Sequence, residues 1–126
     1  MLEVEVIGTA AIPAVEVERL ASLAASSGGV EDGHVAVEFV DSDRIRDLNR
    51  EYRGKDRPTD VLSFPVDGNG DAFGERELGD VVISPADTED LREAVVHGVL
   101  HLTGMDHETD GGEMLALQAE IRSWLS

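Results

Sequence analysis

Residues 2–7 (LEVEVI) alternate apolar and acidic side chains, the two-residue period of a half-exposed β-strand, and residues 34–40 alternate again. Between them residues 13–26 carry helical spacing, with Pro13 near the first turn and Ser26-Ser27-Gly28-Gly29 at the end. Asp41 or Ser42 caps the next helix, which runs to about Tyr52 with Ile45, Leu48 and Tyr52 on its core face. Arg46, Arg50 and Arg53 form a separate stripe on that wheel. Val61 to Phe64, bounded by Pro58 and Pro65, reads as a short strand at or near a sheet edge. Residues 66–77 are glycine-rich and charged, a surface loop whose DGNGDAFGE stretch lacks the register of an EF-hand calcium loop. Leu78 to Ser84 is a fourth strand, and two further helices follow, at about Thr88 to Thr103 and Gly112 to Leu125. The last is expected to bury Leu115, Ile121, Trp124 and Leu125. Four strands, about four helices and no internal repeat predict an α+β fold.

Size and composition narrow this to one domain over residues 1–126, since 126 residues at 41% hydrophobic content build one core and not two. Cysteine is absent, which excludes disulfides and thiolate metal sites and fits a reducing compartment. Glu3 and Glu5 stand where a signal peptide carries basic residues, and no apolar run reaches membrane-spanning length. A cytoplasmic protein with no membrane partner is expected. The net charge of −17 opposes general binding to nucleic acid or anionic membranes. The cations are nevertheless clustered: Arg44, Arg46, Arg50, Arg53, Lys55 and Arg57 fall within residues 44–57, a local patch able to seat phosphate.

The strongest chemical signal is HGVLHLTGMDH at residues 97–107. His97 and His101 stand one helical turn apart, about 40° around the axis, so both imidazoles leave the same face. Gly104 permits a left-handed turn just past the helix, which brings His107 back toward them. Three histidine ligands leave one position of a tetrahedral ion open, the layout of a catalytic zinc site. One Zn2+ per chain is the expected cofactor, although three imidazoles also suit other divalent transition metals. On the same helix Leu91, Val95, Gly98, Val99 and Leu102 form one apolar side, with Val96 and Leu100 on another. Such burial favours the neutral, metal-binding form of imidazole. His34, in an alternating segment, is a structural polar residue.

The spacing H-x-x-x-H-x-x-G-x-x-H is similar to that of metzincin proteases. Those enzymes place a glutamate directly after the first histidine as general base, and this chain has Gly98 there. A metzincin-like metallopeptidase is therefore the lesser alternative. The histidine block together with LNREYRGKDRPTDVLSFP at residues 48–65 and LGDVVIS at 78–84 resembles the YbeY family of metal-dependent endoribonucleases. That resemblance implies a mixed four-stranded sheet, a zincin-like metal helix, zinc held by His97, His101 and His107, and an arginine important for activity at Arg53. It further implies a single-strand-specific endoribonuclease acting in ribosomal RNA maturation and ribosome biogenesis, with ribosomal RNA and possible ribosomal-subunit or ribosome-associated partners.

The chemistry of guanidinium agrees, because its planar fork of donors matches phosphate oxygens at any relevant pH. Arg46, Arg50, Lys55 and Arg57 are candidates for guiding the RNA backbone. Two features depart from the family. The connection between ISP at 83–85 and the metal helix is short, where relatives have an additional helical stretch, and the strong acidity opposes RNA affinity. A non-catalytic, metal-stabilised ribosome-associated factor is the remaining alternative.

Overall fold

A computed structural model describes residues 2–9, 12–66, 77–105 and 111–125. Its elements, in chain order, are β1 (Leu2–Ile7), α1 (Ala14–Ser27), β2 (Gly33–Phe39), α2 (Ser42–Arg53), β3 (Val61–Pro65), β4 (Glu77–Ile83), α3 (Leu91–Leu102) and α4 (Glu113–Leu125). A single 3-10 turn, Pro85–Asp87, links β4 to α3. The strands form one mixed sheet in the order β1-β2-β4-β3. β1 and β4 flank β2 in parallel, while β3 closes the edge antiparallel to β4. The α+β class, the mixed four-stranded sheet and the edge position of the proline-bounded strand are all as anticipated.

Two apolar layers lie on opposite faces of the sheet. On one, Val17, Leu20, Ala21 and Ala24 of α1 and Val95, Val96 and Val99 of α3 pack with Met114 and Ile121 of α4 against Val35, Val37, Val81 and Ile83. On the other, Ile45 and Leu48 of α2 cover Leu62 and Val82. Alternate residues of β3 and β4 thus serve different cores, as the pleat requires. β2 is central, and Val35, Ala36 and Val37 are all buried.

Local chemistry sets the helix ends. The Asp41 carboxylate accepts a hydrogen bond from the Arg44 amide at 2.8 Å, which caps α2. Gly54 ends that helix at φ 69°, a left-handed conformation that glycine adopts at low cost. α3 begins at Leu91 and not near Thr88, because the Thr88 hydroxyl turns back to the Ser84 carbonyl at 2.6 Å and Asp90 is the cap.

Three expected core side chains lie outside. Tyr52 is 66% exposed, its ring meeting Phe64 edge-on with centroids 5.1 Å apart. The core face of α2 ends at Leu48 and Asn49. On α4 the buried stripe is Met114, Gln118 and Ile121. Leu115 and Trp124 project roughly a quarter-turn to either side of it, and are 46% and 54% exposed. The Leu125 side chain and the glycine-rich stretch 67–76, expected as a surface loop, lie outside the described residues.

Candidate metal centre and substrate cleft

α3 carries the site because its two long faces do different work. Val95, Val96 and Val99 are buried, and Gly98 lies against the sheet, where an added Cβ would collide with Val81 and press Val61 at 3.2 Å. The helix therefore seats closely on β3 and β4. The Ser63 hydroxyl donates to the Gly98 carbonyl at 3.0 Å, tying the edge strand to α3 at the same level. Position 98 has no room for the glutamate of a zinc protease, so the missing base reflects packing as well as sequence.

His97 and His101 leave α3 on the exposed side, half-buried, with ring centroids 4.8 Å apart and planes at 76°. Both line a cleft of about 970 Å³. Tyr52 and Arg53, the last two residues of α2, line the same cleft, as do Ser63 and Phe64 of β3. The turn at Gly104, φ 104°, and Met105 close the end next to His101. His107 lies outside the described residues.

The donor set fits a divalent transition metal. Nδ1 of His97 lies 2.7 Å from Gln118 Oε1, so Nε2 is the ring nitrogen that would coordinate an ion. Imidazole nitrogens of this kind suit zinc and its neighbours in the transition series. Among the described residues no group of three His, Cys, Asp or Glu side chains gathers as a metal cage. The described part of the site is a two-imidazole half.

The basic cluster divides sharply. Arg46 Nε bonds Asp56 at 2.9 Å, and Arg50 reaches Asp47 at 3.2 Å and Asp56 at 3.8 Å. The bond from Arg46 holds the Asp56 carboxyl below its ordinary range, with the charge of Arg50 adding to it. Lys55 and Arg57 belong to the turn after α2, which Asn49 fastens by donating to the Arg57 carbonyl at 2.9 Å. Neither lines the cleft. Arg53 does, and no carboxylate among the described residues pairs with it. Asp56 and Asp60, the partners that would make Arg53 a mere surface charge, are occupied by Arg46 and by the Val61 amide.

Sequence patterning missed Tyr52 as cleft wall and Gln118 as a partner of His97. The second left a trace: Gln118 is the one polar residue on the Met114, Gln118, Ile121 stripe of α4, and a polar group on a buried stripe needs a partner. On the far side of His97 a second cleft of about 510 Å³ is lined by Asp60, Asp87, Glu89, Asp90 and Glu93. Its negative field leaves the Arg53 side as the one suited to an anion.

Comparison with known proteins places these features. The family described as Endoribonuclease YbeY matches residues 9–126. A protein named Endoribonuclease YbeY from Bacillus cytotoxicus is 42% identical over 83% of this chain and 81% of its own length. Relatives of the same name from Aquifex aeolicus and Geobacillus thermodenitrificans are 43% and 41% identical, over 78% and 87% of this chain and 72% and 86% of theirs. The solution structure of TM1509 from Thermotoga maritima superposes with a TM-score of 0.55 at 28% identity, covering 94% of this chain and 85% of that one. With the family matched over residues 9–126 and these relatives 41% to 43% identical across most of both chains, the chain belongs to the Endoribonuclease YbeY family.

Proposed function

We infer that this endoribonuclease is zinc-dependent and cuts single-stranded regions of ribosomal RNA during ribosome biogenesis in the cytoplasm. The hydrolase activity on RNA follows from family membership. The observation that carries the finer statement is the convergence of Arg53 with His97 and His101 on one cleft from different parts of the fold.

The division of labour follows from the residues. Arg53 offers two parallel N–H donors to the non-bridging oxygens of a phosphodiester and offsets the charge that grows on them as phosphorus becomes five-coordinate. His97, His101 and His107 are the residues to hold the ion. When bound, such an ion polarises a phosphoryl oxygen or supplies a nucleophile by lowering the pKa of water. An open cleft about 970 Å³ in volume, with Tyr52 on its rim, suits an unpaired strand whose bases are splayed out. Arg46 and Arg50, engaged with Asp47 and Asp56, guide the backbone only by exchanging those carboxylates for phosphate.

The test pairs elemental analysis of the purified protein with cleavage of matched single-stranded and duplex ribosomal RNA fragments, using wild type, His101→Ala and Arg53→Ala. Zinc at one per chain in wild type, loss of zinc in His101→Ala and loss of cleavage in both variants are expected. Equal RNA decay in all three proteins would assign the activity to a contaminant. Cleavage of peptides with RNA left intact would restore the metallopeptidase.

A further inference from the structure

Glu93, His97 and His101 stand at successive turns of α3, and Gln118 of α4 is inserted between the first two. Gln118 is 8% exposed. Its Nε2 donates to Glu93 Oε1 at 2.6 Å, and its Oε1 lies 2.7 Å from His97 Nδ1. A carboxylate only accepts, so Glu93 fixes which way the amide faces. The amide oxygen likewise only accepts, so Nδ1 of His97 must be the donor. A neutral imidazole with its proton on Nδ1 has its lone pair on Nε2.

We propose that Gln118 is a positioning residue: with Glu93 behind it, it holds the His97 ring as the Nδ1–H tautomer and presents Nε2 as a ligand for a divalent transition metal. This rests on the zinc reading above for its purpose, but not for its geometry. Two features make the relay specific. Glu93 occupies the third position after the Asp90 cap, where a glutamate ordinarily reaches back to the cap amide. Here it turns to Gln118 instead. The acceptor that faces His97 is an amide whose direction Glu93 fixes, where a carboxylate, a backbone carbonyl or a water more often holds a ligating histidine. One turn further along α4, Arg122 donates to Asp90 at 2.7 Å, a second rung between the same two helices.

The experiment uses the full chain in two arms. In metal-free protein at a pH where imidazoles are neutral, nitrogen-15 NMR of the histidine rings reads the tautomer of His97, identified by its absence in His97→Asn. Wild type should show the Nδ1–H form, and Gln118→Leu should move it to the Nε2–H form or to a mixture. In the second arm, competition with a chromophoric chelator should show zinc affinity falling about 10–100-fold in Gln118→Leu. Gln118→Glu alone should also weaken binding, because it sets two carboxylates together, and adding Glu93→Gln should restore it to within a few-fold, since an amide at 93 donates to the carboxylate at 118, which still accepts from Nδ1 of His97. Arg122→Ala loosens the same helix pair without touching the ring, so a lower melting temperature with zinc affinity within a few-fold of wild type is expected. An unchanged tautomer and unchanged affinity in Gln118→Leu would overturn the proposal. A tautomer shift in Gln118→Leu, together with a wild-type protein that binds no zinc, would overturn the metal reading while leaving the role of Gln118 on the ring standing.

Discussion

Arg53 shows how much a single position can matter when its neighbours are already committed. Five cations lie between residues 46 and 57, yet Arg46 and Arg50 are engaged by Asp47 and Asp56, and only Arg53 reaches the histidine cleft. Arg53→Ala should lower the RNA cleavage rate by about 10²–10³-fold, with the melting temperature unchanged because the side chain is exposed. Arg53→Lys keeps the charge and loses the fork, so it should recover only part of that rate. Full recovery in Arg53→Lys would reduce the arginine to a point charge. The histidine spacing and the arginine stripe were both legible in the sequence. The choice of Arg53 over its neighbours rested on the family resemblance until the placement of the partnering aspartates separated them.

At the scale of elements, the site depends on how closely α3 approaches the sheet. Glycine in mid-helix costs about 1 kcal/mol relative to alanine, so Gly98→Ala is favourable for the isolated helix. In the fold the new methyl group meets Val81 and Val61, and overpacking of this kind costs about 1–3 kcal/mol. The second effect should win, and urea unfolding should show Gly98→Ala less stable than wild type. A variant as stable as the parent would mean that α3 can lift from β3 and β4 freely. Helical periodicity identified α3 but could not say that Gly98 lies tight against Val81 and Val61 of the strands. For α4 the same periodicity named Ile121 as core, which is buried, and also Leu115 and Trp124, which are not; Met114 and Gln118 complete the buried stripe. Two apolar registers competed, and the docking of α4 on α3 through Arg122 and Gln118 decided between them.

Across the whole molecule, charge governs the response to solution conditions. His34 on β2 lies 2.7 Å from Glu77 on β4 and 3.4 Å from Glu5 on β1, a clasp across three strands. Burial disfavours the imidazolium, but the hydrogen bond and charge of Glu77, with Glu5 adding to them, outweigh it and raise the pKa above 6.5. A raised folded-state pKa contributes stability in full below about 6.5, and the contribution is lost as pH rises through the folded-state value. Wild type should therefore exceed His34→Gln in stability at mildly acidic pH, and the gap should close as pH rises through the raised folded-state pKa. A gap that widens with pH would show that the clasp works through something other than charge. The net charge of −17 acts everywhere at once. Screening should raise the melting temperature between about 50 mM and 0.5 M monovalent salt, and a fall over that range would show that attractive pairs outweigh the repulsion.

The sequence by itself determined the class of fold, the edge strand and the helix with its paired histidines. These rest on periodicity, proline and glycine placement and the i, i+4 geometry of a helix, all of which act over a few residues. Sequence and family resemblance together pointed to Arg53. Tertiary contacts selected which apolar stripe of α4 is buried, which arginine lines the cleft and which nitrogen of His97 meets Gln118. Each of those depends on groups distant in the chain: Glu93 meets Gln118, Asp90 meets Arg122, and the end of α2 shares one cleft with the exposed face of α3. Local propensity sets where elements form; the packing of one against another selects the partner for each polar group.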